Sequence, residues 1–437
     1  MTDAPQDSMD IFTDLAAVAA TQGNAAMFDR LAASLKDRCR WHALFDLRLL
    51  QARVALGLPA TGDMGDVPTA IRDQLDELSL TACREVGWPL LDEGQVAAGW
   101  MYLRAAATPA EVANKLTALA APLAPAKEVV AGGMDAPADD EACAARLQEI
   151  VHVSLWEGVD PALGLQLVLG TQGTCNAITA YEQAVSRLPA RQQEPAAGVL
   201  VNHLQSEVAR ALAADLAGRG IALPDTAAAA ASIPALLAAG GGLANDPSIH
   251  VDVSHLQSVL RIARVCTASA VVRAAWELAC YACRLPRDVV YPGEPPFADV
   301  GAASRLFYAA QLGQDVDRAV GYFRAEAAKA RIEESGTLPA DVLVLLLTRL
   351  GRPEEALHAA LERPADGPMP SVMQASGMLP SLVELAAASK AWGPLRDACR
   401  SRGDEITFAA TLAAEHHQSR YHGLLQSVQM PPPPLPS

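Results

Sequence analysis

The chain has 437 residues, of which 51% are hydrophobic but only 5% aromatic, so alanine and leucine, both strong helix formers, carry its apolar share. With 34 basic against 50 acidic residues and a net charge of −16, it lacks the basic surface that phosphate backbones require, so no nucleic-acid partner is expected. The start, Met1-Thr2-Asp3, is acidic without an apolar signal core, and no apolar run reaches the roughly 18 residues of a membrane span; a soluble, cytoplasmic protein with no membrane contact is expected.

Taken in chain order, the N-terminal section (residues 1–121) shows helical periodicity throughout. A first helix opens at Asp10 or Thr13 and runs to about Ala20, Gly23-Asn24 makes a turn, Ala25–Lys36 repeats the pattern, and Trp41–Leu56 ends at Gly57-Leu58-Pro59. Short helices joined by short turns imply antiparallel neighbours, the αα-hairpin unit of helical repeats. Residues 122–140, with Pro122, Pro125, Gly132-Gly133 and Pro137, read as a linker.

The central section (141–290) is helical but less regular. A helix opens around Asp140 and carries His152 and Glu157 near its end. Their spacing of five is wrong for a same-face pair on an α-helix, whereas His152 shares a face with Trp156. Asp160-Pro161 has the form of a helix cap and first turn. Thr171-Gln172-Gly173-Thr174-Cys175-Asn176 reads as a loop entering a helix. If Thr174 caps, Cys175 lies in the first turn, where the helix dipole favours a thiolate; the alternative is a semi-buried packing cysteine. Pro224–Pro247 holds an alanine run and Gly240-Gly241-Gly242, with room for one short helix.

The densest chemistry is His250-Val251-Asp252-Val253-Ser254-His255, three candidate ligands or acid/base groups within six positions. Ser254 with Gln257 has the form of a capping box, which places His255 in a first helical turn beside unpaired N–H groups. That field favours a neutral imidazole able to bind a metal or take a proton, with Asp252 as orienting carboxylate or third ligand. His250, Asp252 and His255 are therefore candidate metal ligands, and Asp252, His255 and Cys175 candidate catalytic groups. His152 and Glu157 join the metal set if the two segments meet. Imidazole donors point to zinc, iron or manganese rather than magnesium. The structural alternative is that Asp252 or Ser254 simply caps the helix and both histidines bond locally.

Eight cysteines are too few and too scattered for a disulfide framework, and Cys280-Tyr281-Ala282-Cys283 falls inside an apolar helical run, where buried packing is expected. The segment Glu415-His416-His417 to His422 has no pair at chelating helical spacing. No phosphate-binding glycine loop, dinucleotide fingerprint or Gly-x-Ser-x-Gly elbow occurs.

The C-terminal section (291–425) opens on the turn Pro292–Phe297 and carries the clearest repeat pattern. Leu350-Gly351-Arg352-Pro353-Glu354-Glu355-Ala356-Leu357, echoed by Leu312-Gly313 with Ala319 and Phe323 and more loosely by Ala391–Cys399, resembles the middle of a tetratricopeptide repeat, clearest over 303–362. The resemblance implies stacked antiparallel hairpins, an all-α solenoid of tetratricopeptide-like form that is irregular in the middle. It also implies a concave groove for a peptide or protein partner, which the acidic balance would make basic or neutral. The alternative is a metal-dependent or acid/base enzyme acting on a small polar substrate at His250, Asp252 and His255. Residues 426–437, with Pro431-Pro432-Pro433-Pro434, read as a polyproline II tail.

Overall fold

The computed structural model describes residues 6–63, 65–123, 138–224, 226, 232–239, 246, 248–331, 335–363 and 372–417. The chain is all-α: it is 76% helical, with 20 α-helices and no strand among the described residues. None of these helices is long and apolar enough to cross a membrane. Much of the proline- and glycine-rich seam at 122–140, the triplet Gly240-Gly241-Gly242, His422 and the tail 426–437 lie outside the described residues. The chain divides into two compact units, Met1–Gly170 and Thr171–Ser437.

The first unit contains α1 (Gln6–Gln22), α2 (Asn24–Asp37), α3 (Trp41–Ala55), α4 (Thr69–Asp92), α5 (Val96–Ala106), α6 (Pro109–Ala120) and α7 (Ala138–Val151). From α1 to α5 each helix packs on its successor, and both α5 and α6 pack on α7. Phe28, Leu35, Leu44, Leu47, Val86 and Leu90 form the shared apolar seam. The α4–α5 hairpin is drawn tight by two facing glycines. A Cβ at Gly87 would stand 2.5 Å from Leu103 Cγ, and one at Gly99 would stand 3.0 Å from the Gly87 carbonyl oxygen. Neither position tolerates a side chain without separating the helices.

The second unit begins within α8 (Pro161–Ala180), which is broken at Gly173, where φ is 81° and ψ is 178°. Its organiser is the long α9 (Ala190–Gly218), against which α10 (Ile233–Ala239), α11 (Val253–Ile262) and α12 (Ser269–Ala282) all pack. Beyond it run α13 (Val300–Gln311), α14 (Val316–Lys329), α15 (Leu338–Arg349), α16 (Pro353–Glu362), α17 (Val372–Ala375), α18 (Leu382–Ser389), α19 (Trp392–Arg402) and α20 (Glu405–His416). From α12 to α16 each helix packs on the next; α16 and α19 then pack on α18, and α20 on both α18 and α19.

The two Leu-Gly turns expected from the repeat pattern are built alike. Gly313 (φ 78°) and Gly351 (φ 67°) take the left-handed position after α13 and α15. The next residue's N–H closes back on the helix, Gln314 on the Ala309 carbonyl at 2.9 Å and Arg352 on the Leu347 carbonyl at 3.0 Å. Ala319, Phe323, Ala356 and Leu357 are fully buried behind these turns. The looser third copy uses the same closure, Ala391 N–H to the Ala386 carbonyl at 3.2 Å, with Lys390 rather than glycine in the left-handed position.

Candidate functional site

The His250–His255 stretch lies on the second unit as a strap leading into α11. Asp252, not Ser254, is the N-cap: its Oδ1 accepts the Ser254 N–H at 2.8 Å, the Ser254 hydroxyl at 2.5 Å and the His255 N–H at 3.3 Å. The helix therefore starts two residues earlier than a Ser254 cap would allow, because the carboxylate outcompetes the hydroxyl for the same orphan donors. These bonds, led by that from the Ser254 hydroxyl, hold the Asp252 carboxyl below its ordinary range. His255 sits half-buried in the first turn, its ring unbonded among the described residues.

His250 is the buried member, its side chain 8% exposed. Nε2 lies 3.0 Å from Asp215 Oδ2 on α9, and Nδ1 lies 3.2 Å from the Tyr281 hydroxyl and 3.2 Å from Arg284 Nη1. Arg284 can only donate, so Nδ1 accepts and Nε2–H donates to Asp215. Both ring nitrogens are thus occupied. The backbone N–H of His250 also donates to the Tyr281 oxygen at 2.8 Å.

Around it the strap is pinned further. Arg284 Nη2 donates to the Asp246 and Ser248 carbonyls at 2.9 and 2.7 Å. Arg219, at the end of α9, spans Asp215 at 2.8 Å, Asp246 at 2.5 Å and the Ser248 hydroxyl at 3.0 Å. Hydrogen bonding to Arg219 is the main reason that the Asp215 and Asp246 carboxyls both sit below the usual range.

Cys175 is exposed, two residues beyond the break in α8. The neighbouring Thr174 meets an imidazole that the sequence did not single out, His203: its Nε2 lies 3.2 Å from the Thr174 hydroxyl and 3.6 Å from Glu207 Oε2. Both contacts use the same nitrogen, so this is not the relay in which one nitrogen takes a proton while the other is oriented by an acid.

His152 and Glu157 do meet, in the first unit. Residues His152–Trp156 form a π-turn, with the Glu157 N–H on the His152 carbonyl at 3.1 Å. That winding brings positions five apart into register, so the objection drawn from α-helical spacing fails here. His152 Nε2 lies 3.7 Å from Glu157 Oε1, and Glu157 Oε2 accepts from Trp100 Nε1 at 3.3 Å; both side chains are well exposed. Among the described residues, no three histidine, cysteine, aspartate or glutamate side chains come together as a metal-binding group. Cys280 is half-buried, and burial pushes its thiol up to about 12, far from a reactive thiolate.

A cleft of about 710 Å³ runs across α12, α13 and α14 in the second unit. Trp276 from α12, Arg305 and Leu306 from α13, and Arg318 and Tyr322 from α14 line it, with Asp315 at the turn between the last two helices. Arg305 and Arg318 are exposed and form no hydrogen bond or ion pair with any described residue. Tyr322 is fixed by its hydroxyl, which donates to the Pro296 carbonyl at 2.9 Å. No signal of spacing marked Trp276 or Arg305. No family model, curated protein or solved structure matches this chain.

Proposed function

We propose that this chain is a helical-repeat interaction protein that holds a peptide or protein segment in the cleft across α12, α13 and α14. The observation carrying this reading is the cleft itself: about 710 Å³, with Trp276 and Tyr322 as aromatic walls and two unpaired guanidiniums, Arg305 and Arg318, as donors. The matching Leu-Gly turns after α13 and α15 support a tetratricopeptide-like hairpin geometry, in which successive helices contribute side chains to one shared surface. Asp299 and Asp315 line the same cleft. A bound segment would meet charges of both signs, which favours a neutral or mixed-charge peptide over a strongly basic one.

The enzyme reading, with zinc, iron or manganese or metal-free acid/base chemistry at His250, Asp252 and His255, draws less support. Both nitrogens of His250 are engaged and Asp252 is committed to its helix cap. The test is selection of binders to the full chain from a displayed peptide library. Recovered peptides should lose about tenfold or more in affinity on Arg305→Glu or Arg318→Glu, exposed substitutions that leave the core intact. Elemental analysis of the same preparation, made without a histidine tag, serves as the counter-test. One transition metal per chain, lost in a His250→Ala/His255→Ala variant, would replace the peptide reading with the enzyme reading.

A further inference from the structure

A second pocket, of about 320 Å³, lies between α11, the turn Tyr291–Phe297 and the first residues of α13 and α15, and shares no residue with the cleft. Its distinguishing residue is Arg264, in the 3₁₀ turn that follows α11. The guanidinium carbon sits 3.6 Å from the centroid of the Phe297 ring. Phe297 is itself held in place by ring contacts with Phe307 and Phe323 at 5.9 and 5.6 Å. Arg264 makes no side-chain hydrogen bond and no ion pair with any described residue, and its Nε is closed off from solvent without a partner. Burial pulls the guanidinium down to about 10.

The surrounding charges sharpen the anomaly. Arg261, on the same side of α11, is paired with Glu182. Arg349 is buried and donates to the Arg264 carbonyl at 2.6 Å and to Gln311 at 2.9 Å, with no carboxylate partner among the described residues. Neither guanidinium has a carboxylate within ion-pair distance among the described residues; Glu294 and Glu194 act on them only from further off. A guanidinium N–H closed off from water without an acceptor is costly, and an aromatic face compensates charge but accepts no N–H in the guanidinium plane. Ser258, half-buried, adds a hydroxyl with no partner among the described residues, one turn before Arg261 and Ile262.

We propose that this pocket is a binding site for a small oxyanion-bearing molecule, a carboxylate or a phosphate monoester, received by the Arg264 guanidinium beside the Ser258 hydroxyl. Glu294 stands exposed in the same lining without an ion-pair partner. Its charge opposes a bare anion and favours a ligand that carries an amino or hydroxyl donor near its acid group. The pocket's volume, at the lower end for ligand sites, suits a small metabolite rather than a peptide.

The test uses the full chain with ¹⁵N-labelled arginine, titrated with inorganic phosphate, with acetate, and with chloride at matched ionic strength. The Arg264 Nε–H resonance, assigned by its loss in Arg264→Lys, should shift saturably with phosphate or acetate but not with chloride. The tighter of the two identifies the phosphoryl or carboxylate source. Glu294→Gln, at an exposed position, should tighten the oxyanion by about threefold or more through loss of like-charge repulsion. Should Arg264→Lys fail to fold, Ser258→Ala supplies a milder loss of affinity at an intact core. An identical, non-saturating response to all three anions would overturn the proposal. So would saturable binding indifferent to both Glu294→Gln and Ser258→Ala. Neither result would bear on the peptide cleft.

Discussion

The stacked helices α13–α16 and the region organised by α9 are equally helical, yet different forces hold them. In the stack, neighbours in sequence are neighbours in space, and the contacts are mostly apolar: Phe307, Phe323, Val342, Leu346 and Leu357 are fully buried, with Arg349 on Gln311 and Asp341 on Arg363 as the buried polar exceptions. Around α9, partners lie far apart in the chain and are joined by buried polar groups. Glu277, 8% exposed on α12, accepts from Gln205 of α9 at 2.8 Å and from the Ile233 N–H that opens α10 at 3.1 Å. Tyr281, one turn further on, and Arg284, just past the end of α12, clamp the strap that carries His250. Apolar stacking tolerates drift in register, whereas a polar latch fixes one arrangement because each unmade bond is penalised.

The largest expected effect is on the stack. Phe323→Ala removes a fully buried ring that touches Phe297, Phe307 and Tyr322, and should cost about 4 kcal/mol, read as a lower denaturant midpoint. If α9 and the stack unfold as one cooperative body, hydrogen exchange will accelerate in both together. If the two are separable, the loss will be confined to α13–α16.

Next comes the latch. Glu277→Ala leaves the Ile233 N–H and the Gln205 amide without their acceptor and should cost about 3 kcal/mol in total stability. Exchange should rise first in residues 232–239, whose entry depends on that carboxylate. A uniform rise across the unit, with no early loss at 232–239, would show that the latch adds nothing beyond ordinary packing.

A smaller change, Tyr281→Phe, deletes the hydroxyl that both accepts the His250 N–H and meets its ring, at an expected cost of about 1.5 kcal/mol. The same strap should respond to acid. Asp215, Asp246 and Asp252 all titrate below their ordinary range, so their stabilisation is complete above the usual carboxylate pKa and disappears as pH falls through the lowered folded values. Protection of residues 248–252 should therefore be lost below about pH 4, before the apolar stack loosens. All three carboxylates face solvent in part, so the effect should also weaken in high salt.

The contrast also accounts for what could be read from residue order. The helices at 24–37 and 41–55 follow from local periodicity within a residue of each end, and Asp160 and Gly351 act as the cap and stop that their types suggest. Local signals of this kind need no knowledge of the tertiary fold. The pairing of His250 with Asp215, 35 positions away, has no such signal, and neither does the meeting of Glu277 with Ile233. His152 and Glu157 were legible as residues but not as a pair, since their contact depends on a π-turn that α-helical spacing does not foresee. Arg264 was invisible for a further reason: a lone arginine between apolar residues gives no hint that its charge is left without a partner.

The smallest expected effect separates the two roles open to Asp252. As a helix cap it acts through a side-chain oxygen, and asparagine supplies one almost as well. Asp252→Asn should therefore be close to neutral, while Asp252→Ala should cost about 1 kcal/mol and raise exchange in the first turn of α11. A metal ligand or proton-accepting carboxylate behaves differently, because the amide has neither the charge nor the basicity, and Asn would then be as damaging as Ala. Thermal midpoints of the two variants, measured side by side at pH 7, distinguish these outcomes. The three donors already within reach of Oδ1 lead to the expectation that Asn will be tolerated and Ala will not.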